Sequence, residues 1–186
     1  MRRVSRTESD RAGRGSRRLG AALAPVVTIA PEHVLVAGSH IHAAPDVSGF
    51  NQDIGQGPDK ALLADLQRKL TGAAVAAAGA MEDADLWFGA TGLVGVSERD
   101  KGCSPVLDTS VAVLRATDRS GRPLLTIANF AKHPTIAAES NRLASAGFVW
   151  GCRDDVERAT GAPAMFLLGF EAAVHGKYGF DGSPGM

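Results

Sequence analysis

The sequence predicts an α/β protein, a mixed β-sheet core flanked by helices with histidines at strand ends, and three observations carry that expectation. Short apolar runs recur at residues 34–37, 86–88, 109–116, 123–131 and 164–168, each bounded by turn residues, as strands of a packed sheet are. Between them, residues 59–79 and 148–160 repeat apolar side chains at three- and four-residue spacing, the period of a helix with one apolar stripe. The runs at 34–37 and 123–131 both lead into histidine, and open α/β sheets place ligands at the carboxyl ends of their strands.

In chain order, residues 1–20 hold seven arginines against Glu8 and Asp10, a local charge of +5 in a chain whose formal net charge is zero. With serines, glycines and few apolar side chains, this stretch reads as a disordered basic arm. It lacks the apolar stretch of a secretory signal, which predicts a cytoplasmic chain. Residues 21–176 read as one folded domain. From Gly169 onward five glycines and a proline predict a loose tail, with 177–186 its flexible end. Apolar residues at 45% and charged residues at 22% are ordinary for a globular protein. Overall neutrality gives no general attraction for nucleic acid, so only the arm keeps that partner open. No apolar run reaches the 18 or so residues of a bilayer span. Cys103 and Cys152 stand in unrelated contexts without a C-x-x-C, which predicts reduced thiols.

Residues 34–37 read as a buried strand that breaks at Gly38-Ser39 and delivers His40-Ile41-His42. In an extended chain residues i and i+2 project to one side, so His40 and His42 face one region of space. Neutral imidazole is the commonest side-chain ligand of metals, and zinc accepts it at about 2.0–2.1 Å. Such a pair is equally compatible with a solvated or structural role, and a lone His133 with a capping role; two strands each ending in histidine favour convergence. Residues 47–58 form a glycine-rich loop, and Asp59 caps a helix reaching about residue 79, whose stripe is Leu62, Leu66, Leu70, Ala73 and Ala77. A short strand at 86–88 precedes a long loop, 89–105, that contains Arg99. Residues 109–116 and 123–131 form a hairpin about the turn Asp118-Arg119-Ser120-Gly121, and its return strand leads to Lys132-His133-Pro134. The helix at 148–160 buries Val149, Cys152, Val156 and Ala159 and stops at Gly161; 164–168 is a final buried strand.

The segment His40-Ile41-His42-Ala43-Ala44-Pro45-Asp46 resembles the H-T-H-S-G/A-P-G/D motif of the neutral (non-lysosomal) ceramidases and their bacterial relatives. Asn129-Phe130-Ala131-Lys132-His133-Pro134-Thr135 resembles that family's N-[FY]-A-x-H-P-T, and the likeness runs from about residue 26 to about residue 176. It implies the N-terminal catalytic domain of such an enzyme, and zinc-dependent hydrolysis of the amide in an N-acylated, ceramide-like lipid. Zinc ligands His40 and His133 follow from it, with His42 holding the water or steadying the oxyanion. Arg99, the surviving half of the family's N-R pair, would orient the substrate. The sequence also departs from the pattern: Gly147 replaces an aspartate, and Ala173 and His175 stand where G-D-x-S-P places aspartate and serine. Glu171, His175 and Tyr178 offer further ligand chemistry in the glycine-rich tail. Three readings follow: a zinc amidohydrolase, a partial or degenerate relative that keeps the fold without activity, and a nucleic-acid binder working through the arm, whose affinity would fall steeply with salt.

Overall fold

A computed structural model of the chain describes residues 19–25, 29–30, 33–45, 47, 57, 59–99, 106–135, 141–171 and 174–176, the pairs 98–99 and 175–176 by backbone alone. The basic arm through residue 18, Cys103 and the chain end after Gly176 lie outside the described residues. The chain divides into two compact units, Met1–Val36 with Asp46–Glu82, and Ala37–Pro45 with Asp83–Met186.

The first unit contains helix α1 (Lys60–Gly79). Asp59 ends the preceding loop and its Oδ1 accepts from the backbone N–H groups of Ala61 at 2.8 Å and Leu62 at 3.1 Å, satisfying two donors that have no partner inside the helix. No residue of α1 is buried, and Leu70 of the expected stripe is exposed. No helix among the described residues is long and apolar enough to cross a membrane.

Residues 34–37 are not the buried strand that their composition predicts. The chain there is irregular, with Leu35 80% and Val36 55% exposed. An apolar run becomes a strand only where a neighbour takes up its N–H and C=O groups, and no described strand pairs with it. The boundary between the two units falls within it, after Val36.

The second unit is built on β1 (Asp85–Gly92), β2 (Ser97–Arg99), β3 (Ser110–Thr117), β4 (Pro123–Phe130), helix α2 (Gly147–Thr160), β5 (Ala164–Leu168) and β6 (Val174–Gly176). A four-stranded sheet runs β1-β3-β4-β5, its first two pairings antiparallel and the last parallel. This mixed α/β architecture is the fold class that the sequence predicts. The β3–β4 turn is closed by Asp118, whose Oδ1 accepts from the backbone N–H groups of Ser120 at 2.9 Å and Arg122 at 3.0 Å, while Gly121 takes φ 87°. Return to a parallel neighbour requires a crossover, which α2 supplies. Gly161 ends α2 in the left-handed conformation at φ 68°, and the helix is fastened to β5 by Arg153 Nε donating to Ala164 O at 2.8 Å and Glu157 Oε1 accepting from Ala164 N at 3.0 Å. Phe148 meets Phe166 edge to face at 5.5 Å, and Phe130, Ala131, Val149, Ala162 and Ala164 are buried.

Two elements lie where the sequence predicts loops. β1 continues to Gly92 and β2 interrupts the expected 89–105 loop; the start of the expected loose tail holds β6. β2 and β6 pair antiparallel, Ser97 opposite Gly176 and Arg99 opposite Val174, and Val174 is fully buried. Three-residue strands carry no readable periodicity, and distant pairing holds them.

A candidate metal centre of three histidines

His133 follows β4 by three residues and is fixed by its backbone: its N–H donates to Val174 O at 2.8 Å, and its carbonyl accepts from Thr135 N at 2.9 Å. The preceding Ala131 is 1% exposed, so this stretch cannot swing outward without exposing core. His40 and His42 arrive from a loop whose Ala43 O accepts from Ser145 N at 2.8 Å. The pair does face one region, but not by the pleat of an extended chain. His40 has φ 53°, in the left-handed region, where histidine is commoner than most non-glycine residues yet still costs of order 1–3 kcal/mol. Such strain persists where the surroundings over-determine it, and it falls on a residue of the cluster.

The three rings meet at their Nε2 atoms. His40 and His133 are 3.0 Å apart there, His42 and His40 3.1 Å, and His133 and His42 2.9 Å. Ring centroids are farther apart, 4.6–4.8 Å, with the planes inclined by 68–76°, so the nitrogens point inward and their lone pairs converge. Three nitrogens bound at about 2.0–2.1 Å to one cation lie roughly 2.9–3.4 Å from each other for angles between octahedral and tetrahedral. The observed triangle falls in that range, and the donor set is the nitrogen chemistry zinc accepts; the three histidines can hold a metal ion. The His133 side chain is 16% exposed and His40 49%, leaving one side of the cluster open to solvent.

Glu171 stands against this triangle. Its Oε2 lies 2.6 Å from His133 Nδ1, a close approach not aligned as a hydrogen bond, and its Oε1 lies 3.9 Å from His40 Nε2. The sequence offers Glu171 only as one of three ligand types in a supposed loose tail; no local pattern marks it, because its position depends on β6. Of the other two, His175 contributes backbone to β6 and Tyr178 lies outside the described residues. Arg99 is at the end of β2, paired through its backbone with Val174, and its side chain lies outside the described residues. Next to the cluster, Lys132 lies over the Phe148 ring at 5.1 Å, and burial pushes its ammonium below the usual lysine range.

Fold and site together define an α/β domain with a histidine cluster able to take a metal ion. The fold is ceramidase-like: a solved ceramidase complexed with C2 superposes with a TM-score of 0.57 at 18% identity, over 88% of this chain and 28% of that one. The neutral ceramidase from Pseudomonas aeruginosa is also similar, with a TM-score of 0.45 at 18% identity over 63% of this chain and 22% of that one. The chain thus spans about a quarter of the length of these proteins. No protein-family model and no curated protein matches the sequence.

Proposed function

We propose that this chain is a ceramidase relative that binds zinc and hydrolyses the amide bond of an N-acylated, ceramide-like lipid. The observation that carries the reading is the triangle of Nε2 atoms, 2.9–3.1 Å on each side. His40 and His133 hold the ion, and His42 acts as the third donor. This differs from the outer role that the resemblance implies for it, because its nitrogen is as near to each of the other two as they are to one another. When bound, zinc supplies a Lewis acid for the amide carbonyl and lowers the pKa of a water towards about 7. The hydrogen-bonded backbone of His133 keeps that donor in place, while the exposed side at His40 and His42 admits the acyl-amide group. Arg99 orients the lipid headgroup or carbonyl through its planar donors.

Elemental analysis of the purified, dialysed chain should find about one zinc per chain, lost in His133→Ala and His40→Ala, and the zinc-loaded protein should release fatty acid from an N-acyl sphingoid lipid. Absence of both metal and turnover ends the reading. Ala173 and His175, where the resemblance expects aspartate and serine, favour a second reading: a metal-holding domain without hydrolysis. Stoichiometric zinc with no fatty acid release selects it.

A further inference from the structure

We propose that Glu171 is a positioning residue that orients His133 and completes the metal centre from within this stretch of chain; the proposal rests on the zinc-binding reading above. Histidine ligands commonly present their second ring nitrogen to a carboxylate, which fixes the tautomer and strengthens the metal-facing nitrogen. Here Glu171 Oε2 is 2.6 Å from His133 Nδ1, and both atoms are buried. A carboxylate this close to Nδ1 favours the tautomer with its proton on that nitrogen, which leaves Nε2 its lone pair, and Nε2 is the atom turned towards His40 and His42. The second carboxylate oxygen, 3.9 Å from His40 Nε2, places negative charge beside the point where the nitrogens converge. A carboxylate exposed over only 17% of its surface loses much of its hydration, and a cation in the cluster offsets that loss.

The backbone holds this carboxylate in place. Gly169 N donates to Phe130 O at 3.0 Å, Val174 N donates to Glu171 O at 2.8 Å, and Val174 O in turn accepts from His133 N at 2.8 Å. Glu171 and His133 are therefore tied to the same residue, so their separation is set by structure formed before any ion arrives.

The test is zinc affinity of the whole chain by competition with a chromophoric chelator, for the unaltered protein, Glu171→Ala and Glu171→Gln. Loss of an outer partner of this kind weakens binding by about 10–100-fold. We expect that loss for Glu171→Ala, with a smaller one for Glu171→Gln, which keeps the side chain's size and a polar atom beside Nδ1 without the charge. In cobalt-loaded samples the visible ligand-field bands should shift in both variants. Thermal unfolding of the zinc-free proteins checks that both fold; if Glu171→Ala does not, Glu171→Gln carries the comparison. Zinc affinity equal to that of the unaltered chain overturns the role of Glu171 while leaving the histidine centre intact. Failure of the unaltered chain itself to bind zinc overturns both.

Discussion

Replacing Gly169 by alanine tests the seam on which the site depends. A Cβ at this position would lie 3.0 Å from Ala131 N, 3.1 Å from Phe130 C and 3.2 Å from Ala131 Cα. Carbon contacts are most favourable near about 3.5–4.0 Å, so the seam must open by roughly 0.3–0.5 Å. None of the three atoms is the tip of a flexible side chain. They belong to backbone held by the Gly169 N to Phe130 O hydrogen bond and by the burial of Ala131. Forced overpacking of this kind costs about 1–3 kcal/mol. Because Glu171 is two residues along the same segment, zinc affinity should fall with stability. The assay is equilibrium urea unfolding of the zinc-free protein with chelator competition on the folded protein. Gly89→Ala is the control: a Cβ there meets nothing within 4 Å, so little change is expected. Unfolding of Gly169→Ala within about 0.5 kcal/mol of the unaltered chain, with the same zinc affinity, would refute the reasoning.

Further expectations concern individual residues. Zinc-free His40→Gly should be more stable than zinc-free His40→Ala by about 1 kcal/mol, since glycine accepts the left-handed backbone that alanine resists, although both lose the ligand; equal unfolding midpoints would mean that φ 53° carries no strain. Hydrogen bonds from Ser120, and then from Arg122, hold the Asp118 carboxyl down at about 2 from its ordinary 3.8. The folded value lies below the unfolded one, so this stabilisation is present above about pH 4 and is lost as pH falls towards about 2. Asp118→Asn should accordingly be less stable than the unaltered chain near neutrality and converge with it in acid; parallel stability curves from pH 2 to 7 would count against the turn. Asp59→Ala should cost about 1 kcal/mol of helix stability, read as lower far-ultraviolet helical signal on thermal melting, and an unchanged melt would show the cap to be idle.

Much of the sheet is legible in the sequence because its elements announce themselves locally. The residues of β5 form a bounded apolar run with the same limits, 164–168, and α2 begins one residue before its periodic stripe and stops at Gly161. The β3–β4 hairpin is marked by Asp118 and Gly121, whose turn chemistry leaves few alternatives. Residues 34–37 show the opposite case: an apolar run satisfies the pattern for a strand, yet strand formation needs a partner that the run itself cannot specify. His40 and His42 are visible as ligand types, but the left-handed turn that joins them has no signature beyond the permissiveness of histidine. Glu171 is hidden for a further reason. Its position depends on β6 pairing with β2, which lies more than 70 residues earlier, and a three-residue strand offers no period to detect.

The nitrogens that close the triangle come from residues 93 and 91 apart along the chain. Bringing such distant groups together is an entropic debt that the sheet and its seams settle in advance, so an unfolded chain offers His133 apart from the neighbouring pair His40 and His42. Any ion favouring the assembled triangle over scattered rings becomes a thermodynamic lock on tertiary structure: at a free concentration one hundred times its dissociation constant it adds about 2.7 kcal/mol to the native state. Should the cluster hold such an ion, its occupancy would gauge intactness, and loosening the hydrogen bonds of Gly169 and Val174 would release it.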